Sequence, residues 1–488
     1  MFPLFHFSTE KTTSLQQQLR EQIAAAIING NIPQDSPLPS SRKLAKQLSI
    51  ARNTVVLAYE HLLDDGYLIA RERSGYFVNP DILSRQLEMP QQSCQKEAGS
   101  APDWAHKFKI NPSLQHNITK PKDWQKYPYP FIYGQIDTTL FPSNNWRECC
   151  RDAVSVPAIR DWASDRFDAD DPLLIEQIRT RLLPRRGVWA SADQILVTVG
   201  AQQALYMLAR LLLDKDSTIG IEDPGYVDIR NIATMNPALV RALPVDEQGL
   251  IVDEGLNGCD AVFTTPSHQC PTTVTMPLER RYALLEKASE QDFLIIEDDY
   301  ECESNFKSNP IPALKSLDTN DRVLYVGSLS KTLAPGLRLG YLVGPAELIR
   351  EARALRRLIL RHPAANNQRS VALFLERGYH DALIMNIAKA YEERWQEMGE
   401  ALNEYLPSSS LQPSFGGSCY WVKGPEGLDS RLLRKEAADR GILIEPGDIH
   451  FLEQPVPLNY FRLGYSSIPA NKIRPGIKAL VELIEDMI

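Results

Sequence analysis

From Gln194 onwards, the chain alternates short apolar runs with longer amphipathic segments. Runs such as QILVTVG, FLIIEDDY and RVLYVGSLSK have the length of strands, and turn signals and helical patterns separate them. This alternation predicts an α/β fold with a mainly parallel sheet that helices cover on both faces. Ligands of such sheets bind beyond the carboxyl ends of the strands. The polar residues that follow these strands are therefore the first candidates for a functional site.

The first 80 residues follow a different pattern. Their first helical segment has one apolar stripe, which is made of Leu15, Leu19, Ile23 and Ile27. A short segment with Ser40 or Ser41 as its N-cap follows, and then a longer segment that starts at Arg52. GYLIARERSGYFV has the pattern of two strands around a polar turn. Three helices and a hairpin in this order predict a winged helix-turn-helix.

A winged helix-turn-helix places the start of its reading helix against base edges in the major groove of double-stranded DNA. At this position the sequence has Arg52, Asn53 and Thr54, and arginine can bind guanine bidentately as asparagine can bind adenine. The side chains predicted to contact phosphates are Ser40, Ser41 and Arg42 at the start of the preceding helix and Arg71 and Arg73 in the wing. The alternative is a small helical domain with a solvated charged face, but the ordered set of segments favours DNA binding.

The segment LPSSRKLAKQLSIARNTVVLAYEHLLDDGYLIARERSGYFV resembles the GntR-type winged helix over nearly its whole length. One residue departs from the family pattern. The family usually has serine before the arginine of its reading helix, where this chain has Ala51, so a helix cap and a phosphate contact are missing. Loss of a cap costs typically ~1 kcal/mol. We therefore expect weaker affinity for DNA and not a loss of binding.

Composition excludes several classes of protein. With 488 residues, of which 43% are hydrophobic, the chain can bury a sizeable core in more than one domain. Its net charge of −9 argues against a chain that is basic throughout. No apolar run reaches the ~20 residues of a membrane span, and the 7 cysteines show neither a CxxC pair nor metal-ligand spacing. We expect a soluble cytoplasmic protein with reduced thiols, no metal and no membrane partner.

Residues 81–130 separate the two patterns. They contain six prolines and six glutamines and show no sustained periodicity. This composition predicts a flexible Pro/Gln-rich linker.

A cluster of candidates follows the predicted strand at 322–326. Lys331 is either a surface ammonium or a pocket amine that is available to a carbonyl group. Its neighbours favour the pocket, because Ser328 and Arg338 can bind a phosphate. VGAQQA begins a further helix at Gly200, whose N-terminal amides can bind the same phosphate.

Acidic and aromatic residues complete this set. Asp298 ends a strand, where its carboxylate can keep a pyridine nitrogen protonated, Tyr300 can reach a phenolate oxygen, and Tyr226 offers an aromatic face. Together these are the parts of a pyridoxal phosphate site. Taken singly, each has another explanation, such as a turn cap for Asp298 or a surface ion pair for Arg338. Their combination in this chain order favours the cofactor.

These residues, with PSHQCPTT at 266–273 and RLGYS at 462–466, resemble the class I aminotransferase fold, or fold type I, over roughly residues 131–488. The resemblance implies that Lys331 forms the aldimine with pyridoxal phosphate, that Asp298 pairs with the ring nitrogen and that Tyr300 lies near the ring oxygen. It implies a phosphate cup that is made of Ser328, Arg338 and the amides near Gly200, Ala201 and Gln202. Tyr226 is then the stacking ring, and Arg462 is similar to the arginine that binds a substrate carboxylate bidentately.

The segment at 266–273 departs from the family pattern in two places. Thr273 stands where the family has glycine after Pro-Thr. His268 and Gln269 stand near the place where an asparagine commonly contacts the ring oxygen. We expect the geometry around that oxygen to be altered.

A GntR-like winged helix that a long linker joins to an aminotransferase-like domain resembles the MocR/GabR family of bacterial regulators, from about Leu15 to the end of the chain. The resemblance implies a DNA-binding domain at 1–80, a linker at 81–130, and a cofactor-binding, effector-sensing and dimerisation domain at 131–488. An amino-compound effector would displace Lys331 to form an external aldimine, with its acid group on Arg462, and would so change binding to promoter DNA. The effector stays open between GABA, taurine, another amino acid, an ectoine-derived diamine and pyridoxal phosphate itself.

Fold type I sites are generally completed across a dimer, so the resemblance also implies a homodimer, which in this family is often head-to-tail. Two other functions remain as alternatives. One is a catalytically active aminotransferase with a DNA-binding appendage, in which Lys331 would shuttle the proton of the substrate. The other is an aminotransferase-like dimerisation body without cofactor, against which the presence of Lys331, Asp298 and Arg338 argues.

Overall fold

The chain separates by its internal contacts into two units, Met1–Lys107 and Phe108–Ile488. A computed structural model describes residues 5, 7, 13–34, 36–72, 74–83, 102–236, 238–305, 311–329, 331–407 and 416–488. Each unit contains apolar core residues of its own.

The predicted linker at 81–130 is divided between these units. Gln115 Nε2 donates to the backbone oxygen of Asn231 over 2.9 Å, and the backbone nitrogen of Tyr129 donates to the carbonyl oxygen of Gly441 over 3.1 Å. Residues from Phe108 onwards belong to the second unit for this reason, whereas residues 84–101 lie outside the described part of the chain. Contacts with the second unit order a proline-rich segment that has no periodicity of its own.

The first unit has the helices and the hairpin expected of a winged helix-turn-helix. Its helices are α1 (Leu15–Ile28), α2 (Ser41–Leu48), α3 (Arg52–Asp64), α4 (Pro80–Leu83) and α5 (Trp104–Lys107), and its antiparallel strands are β1 (Leu68–Arg71) and β2 (Gly75–Val78). The apolar stripe of α1 buries Leu19, Ile23 and Ile27 in the core of this unit. Leu15, the remaining residue of the predicted stripe, is 46% exposed because it is the first residue of the helix.

Helices and strands alternate along most of the second unit, as the sequence pattern predicts. Its helices are α6 (Ser143–Ala153), α7 (Val156–Trp162), α8 (Pro172–Gln177), α9 (Ala201–Leu212), α10 (Val227–Met235), α11 (Leu278–Gln291), α12 (Leu314–Leu317), α13 (Ala346–Leu360), α14 (Ala365–Glu376), α15 (Tyr379–Tyr405), α16 (Ser430–Asp439) and α17 (Ala470–Met487). Its strands are β3 (Tyr129–Pro130), β4 (Ile195–Thr198), β5 (Thr218–Asp223), β6 (Leu239–Asp246), β7 (Gly249–Leu250), β8 (Ala261–Thr264), β9 (Leu294–Asp299), β10 (Val323–Ser328), β11 (Gly340–Val343), β12 (Cys419–Lys423), β13 (Ile442–Leu443), β14 (Glu445–Pro446) and β15 (Tyr460–Gly464).

The main sheet has the strand order β4-β11-β10-β9-β8-β5-β6-β7. Its central strands β10, β9, β8, β5 and β6 pair in parallel. Strand β11 is antiparallel to both β10 and β4, and β7 is antiparallel to β6. The sheet is therefore mixed but mainly parallel, which confirms the predicted fold class.

Both faces of this sheet are buried. Successive residues of β4 belong to different apolar clusters, because Ile195 and Val197 pack on one face and Leu196 packs on the other. The alternation follows from the pleat, which sends neighbouring side chains to opposite faces. Helices α6, α8 and α14 cover the first face, and α9, α10 and α13 cover the second. Polar side chains that need a ligand or water must therefore lie at the edges of the sheet.

A smaller antiparallel sheet with the order β12-β15-β14 lies in the C-terminal part of the second unit. It packs with α15 and α17 in a separate apolar cluster. Its register places Glu445 of β14 and Trp421 of β12 on either side of Arg462 in β15.

Within the described residues, no helix combines the length and the apolar character that crossing a bilayer requires. Nor does that part of the chain bring three His, Cys, Asp or Glu side chains together as metal ligands.

Candidate cofactor site and candidate DNA-binding surface

The candidate cofactor residues meet in one cavity of about 170 Å³ in the second unit. Predicted site residues that line it are Ala201, Gln202, Tyr226, Asp298, Tyr300, Ser328, Lys331, Arg338 and Arg462. The cavity also has lining residues that the sequence did not indicate, namely Ile118, Tyr133, Cys270 and Pro335. One cavity thus contains side chains that are more than 260 positions apart in the sequence, from Ala201 to Arg462, as well as part of the predicted linker.

Strand ends bring these side chains together. Strands β9 and β10 are parallel neighbours with Asp298 opposite Val326, so Asp298 and Ser328 leave the sheet at the same edge. Helix α9 begins at Ala201, shortly after β4 ends at the same end of the sheet. The site therefore lies beyond the carboxyl ends of the strands, where ligands of α/β sheets bind.

Lys331 has the environment of a reactive amine. Its Nζ lies 4.0 Å from the centroid of the Tyr133 ring, an arrangement in which an aromatic face attracts an ammonium group. Burial lowers the pKa of Lys331, although the nearby carboxylate of Glu301 opposes this shift. A lower pKa increases the fraction of the neutral amine, which is the nucleophile that reacts with a carbonyl group.

Asp298 provides the clearest test of whether pyridoxal phosphate fits the cavity. The residue is 5% exposed, and its Oδ1 has no hydrogen-bond partner in the described part of the chain. Burial, with the charge of Asp299, raises the pKa of Asp298 to about 7. Asp299 itself is satisfied by Arg186 at 2.7 Å and Tyr325 at 2.8 Å. A buried carboxylate oxygen without a partner fits the protonated nitrogen of a pyridine ring.

The opposite end of the cavity fits a phosphate. Gly200 has a φ of +76°, and a Cβ at this position would lie 3.0 Å from Arg338 Nη2. Arg338 therefore lies directly over the start of α9, where the amides of Ala201 and Gln202 and the positive end of the helix dipole favour an anion. Ser328 lines the same cavity.

The two predicted tyrosines both line the cavity, but their hydroxyl groups have different surroundings. Tyr226 donates its hydroxyl hydrogen to Asp228 over 3.0 Å, and its ring stacks on Phe263 with a centroid distance of 6.4 Å. Tyr300 places its ring 6.1 Å from that of His268. Burial raises the pKa of both tyrosines well above the ordinary range, so both hydroxyl groups stay protonated. The hydrogen of Tyr226 is already given to Asp228.

In the segment 266–273, the residue that lines the cavity is Cys270. Gln269 is committed elsewhere, because its Nε2 donates to the backbone oxygens of Pro224 at 2.8 Å and of Cys270 at 2.9 Å. His268 places its Nε2 3.1 Å from Oε2 of Glu301. The sequence did not predict that Cys270 lines the cavity. Its position immediately before Pro271 is a turn signal and does not indicate a cavity.

Thr273, which stands where the family has glycine, adopts a backbone conformation that favours glycine. Its φ is +66°, in the left-handed region, and the residue is buried. A β-branched side chain is rare in this region because its Cβ approaches the backbone closely. The turn at Thr273 is therefore formed at the expense of local strain.

Arg462 lies at the far side of the cavity and already has an acidic partner. It is 1% exposed, forms an ion pair with Glu445 on the neighbouring strand, and lies 3.9 Å from the centroid of the Tyr133 ring. Burial opposes the charge of Arg462, but Glu445 raises its pKa well above the ordinary range. The sequence did not indicate Glu445, because only the pairing of β14 with β15 brings it to this place.

The candidate DNA-binding residues lie on the first unit. Arg52 and Asn53 begin α3 and are exposed, Thr54 is half-buried, and Arg52 Nε lies 3.5 Å from Ser41 Oγ. Ser40 caps α2, with its Oγ accepting from the backbone nitrogen of Lys43 at 3.3 Å.

Ala51 precedes α3 without a side-chain cap, as the sequence indicates. Arg42 is exposed. Arg71, on the hairpin, is also exposed and holds its guanidinium 4.3 Å from the centroid of the Phe77 ring. Arg73 lies outside the described residues. A row of exposed cationic and amide groups at the start of α2 and α3 and on the hairpin is the arrangement expected of a DNA-reading surface.

Comparisons with known proteins agree with both parts of the fold. Residues 15–78 match the model of bacterial regulatory proteins of the gntR family, and residues 169–480 match that of aminotransferases of class I and II. The chain is 41% identical over 471 residues to the HTH-type transcriptional regulator TauR of Rhodobacter capsulatus, with 96% of each chain covered. It is 28% identical over 474 residues to the probable rhizopine catabolism regulatory protein MocR of Rhizobium meliloti, with 96% of this chain and 93% of that protein covered.

The crystal structure of a kynurenine aminotransferase from Pyrococcus horikoshii, in complex with PMP, is also similar. It matches with a TM-score of 0.69 and 28% identity, and covers 78% of this chain and 98% of its own. The similarity to the two regulators, by contrast, extends over 96% of this chain and so includes the winged helix. The chain therefore belongs to the family of MocR-type HTH transcriptional regulators, in which a gntR-family winged helix precedes an aminotransferase class I domain.

Proposed function

We propose that this protein is a pyridoxal phosphate-dependent regulator of transcription, which binds promoter DNA through its first unit and senses a small amino compound in the cavity of its second unit. One observation carries the proposal. The first unit exposes Arg52 and Asn53 at the start of α3. In the same chain, one cavity of the second unit contains the buried amine of Lys331, the carboxylate oxygen of Asp298 that has no partner among the described residues, and the anion site at Arg338.

The residues of the cavity have separable roles in holding the cofactor. Asp298 accepts a hydrogen bond from the protonated ring nitrogen, and its own ionisation becomes favourable beside that positive charge. Arg338, Ser328 and the first amides of α9 bind the phosphate. Tyr226 stacks on the cofactor ring, and the protonated hydroxyl of Tyr300 lies near the ring oxygen. When bound, pyridoxal phosphate supplies an aldehyde that condenses reversibly with amines, so that Lys331 and the amine of an effector compete for one carbon atom.

Regulation follows from this competition. A bound effector releases the amine of Lys331 and adds an acid group beside Arg462, so the cavity has a different charge distribution with and without effector. An effector can shift the conformational equilibrium of the protein only by its difference in affinity for the two states. We propose that this difference changes the affinity for promoter DNA.

The assembly that we propose is a homodimer in the cytoplasm, where its DNA target lies. A dimer presents two winged helices, and paired reading helices contact repeated half-sites that are one or more helical turns apart. The spacing of protected sites on promoter DNA, together with the molar mass in solution, tests this part of the proposal.

The test uses purified protein with bound pyridoxal phosphate. The visible absorption of the cofactor and the affinity for the protein's own upstream DNA are followed in the same samples while amino compounds are added. We expect one class of amine to change both signals without keto-acid release. Lys331→Ala should abolish the spectral change, and Arg52→Ala should weaken specific DNA binding while the spectral change is retained. Steady formation of a keto acid with unchanged DNA binding would overturn the proposal in favour of a working aminotransferase.

A further inference from the structure

Glu301 is a buried carboxylate that has no part in the proposed cofactor site. It follows Tyr300 directly after the end of β9 and is only 5% exposed. A buried charge is costly unless it is paired, so a carboxylate at this place calls for a cation. We propose that Glu301 is a positioning residue that holds Lys331 in its protonated form whenever this amine is free. The inference rests on the proposed function, because sensing depends on the same amine.

Glu301 and Lys331 line one small cavity of about 10 Å³, together with residues that include Gly134, Ser418 and Ser466. This volume has room for about one water molecule, so the carboxylate and the amine lie near each other. A Cβ on Gly134 would lie 2.9 Å from Lys331 Nζ, so the glycine leaves the amine the space that it occupies beside this cavity. The geometry thus gives Lys331 an anionic neighbour outside the set of residues that would hold the cofactor.

Two side chains fix the carboxylate of Glu301. Ser418 donates its hydroxyl hydrogen to Oε1, and His268 Nε2 lies 3.1 Å from Oε2. His268 is itself confined, because a Cβ on Gly417 would lie 2.3 Å from its Cε1. Burial opposes the charge of Glu301, but His268, Lys331 and Ser418 together lower its pKa. Glu301 is therefore an anion at neutral pH.

The other groups around Lys331 do not replace this anion. Burial lowers the pKa of Lys331, and among its charged neighbours Glu301 has the largest opposing effect. The cations Arg462 and Lys120 disfavour a further positive charge. Asp298 has a pKa of about 7 and is only partly ionised at neutral pH in cofactor-free protein. The neutral groups, whose pKa values burial raises, are Cys270, Cys419 and Tyr133.

The charge of Glu301 therefore sets how readily Lys331 reacts. A protonated amine does not attack a carbonyl group, so Glu301 delays the return of Lys331 after an effector has displaced it. Removing the negative charge lowers the pKa of Lys331 and increases the fraction of neutral amine. We expect Glu301→Gln to lower the pH midpoint of the reactivity of Lys331 by about one unit, which is roughly tenfold more neutral amine at a pH below the midpoint. Glutamine keeps the shape of Glu301 and can still accept a hydrogen bond from Ser418.

The experiment uses the full-length protein freed of cofactor. Cyanate, which adds to neutral amines, labels Lys331 at a series of pH values, and mass spectrometry gives the rate for the peptide that contains it. The rate at which pyridoxal phosphate rebinds is followed by absorption over the same pH range. Both rates are measured for wild-type protein, Glu301→Gln, Glu301→Asp and the matched control Glu303→Gln. Glu303 accepts a hydrogen bond from Cys302 and does not line the cavity with Lys331. Thermal unfolding shows that each variant is folded.

We expect the midpoint to fall in Glu301→Gln, to fall less in Glu301→Asp, whose shorter side chain keeps the charge, and to stay unchanged in the control. All four proteins should reach the same rate of labelling at high pH, where Lys331 is neutral. A loosened structure would instead raise the rate at every pH without moving the midpoint. That result, or an unchanged midpoint in whichever Glu301 variants fold, would overturn the inference. Failure of the proposed function is a separate result, in which the midpoint depends on Glu301 but no amine changes the binding to DNA.

Discussion

Gly200 and Arg338 are in direct contact at the start of α9. The backbone of Gly200 has a φ of +76°, and a Cβ there would lie 3.0 Å from Nη2 and 3.2 Å from Cζ of Arg338. The glycine is therefore required twice, once for its backbone conformation and once for the space that the guanidinium occupies. This contact sets the distance between the guanidinium and the helix amides, and so the geometry of the proposed phosphate cup.

We expect Gly200→Ala to weaken binding of pyridoxal phosphate at least tenfold, because the new methyl group displaces Arg338 from its position over the helix. Gly258→Ala is the matched control. Gly258 has a φ of +73°, but a Cβ on it would have no atom within 4 Å, so alanine there also stands at a positive φ but without a clash. Absorption titration with the cofactor measures both affinities. Equal affinities of the two variants would contradict the assigned role of Gly200 in the phosphate cup.

A second prediction concerns Asp298 in protein freed of cofactor. Its pKa is raised from 3.8 to about 7, so the folded state holds this proton more tightly than the unfolded chain does. The stability that this proton contributes is complete below pH ~4 and is lost as the pH rises to about 7. The loss amounts to a few kcal/mol, at ~1.4 kcal/mol per pKa unit.

Asp298→Asn removes the titrating group and keeps the size of the side chain. We expect the cofactor-free variant to be more stable than the wild-type protein at pH 8 and to lack the decline in stability between pH 4 and 7, while its affinity for pyridoxal phosphate falls. Chemical unfolding at several pH values measures the first effect, and absorption titration the second. A wild-type stability at pH 8 equal to that of the variant would contradict the assigned pKa.

Local sequence patterns predict the cofactor residues because parallel strands bring their carboxyl ends to one edge. Asp298, Ser328 and Lys331 each end or follow a buried strand, so their position at the site follows from the alternation of strands and helices alone. The same reasoning does not reach Glu445. Its place beside Arg462 depends on the register of an antiparallel pair, β14 and β15, which a local pattern does not specify.

The predicted linker is a second place where the sequence does not predict a tertiary contact. Its prolines and its lack of periodicity do not indicate that part of it packs in the second unit, where Ile118 lines the cofactor cavity. Lys120 lies in the same part, and nothing in its immediate sequence distinguishes it from the exposed Lys122. Only tertiary contacts separate these two lysines.

Ala51 gives a prediction for the first unit. Helix α3 begins after Ala51 without a side-chain cap, whereas Ser40 caps α2. We expect Ala51→Ser to stabilise the first unit by ~1 kcal/mol and Ser40→Ala to destabilise it by a similar amount. If the serine hydroxyl also reaches a phosphate, Ala51→Ser should raise affinity for specific and non-specific DNA by the same factor. Thermal unfolding and DNA titration of the two variants measure these effects, and a lower unfolding temperature for Ala51→Ser would contradict the capping argument.

Two arginines of the same unit should affect DNA binding in different ways. Arg52 begins the reading helix, so Arg52→Ala should weaken binding to promoter DNA by ~1–3 kcal/mol and leave non-specific binding nearly unchanged. Arg71 lies on the hairpin and packs its guanidinium 4.3 Å from the centroid of Phe77, a position suited to the phosphate backbone. Arg71→Ala should therefore weaken binding to all sequences alike and reduce the dependence of log K on log salt concentration by ~1. Titrations of promoter and unrelated DNA at several salt concentrations separate the two effects. If Arg52→Ala weakened binding to both DNAs equally, Arg52 would contact phosphate, and base recognition would have to come from Asn53.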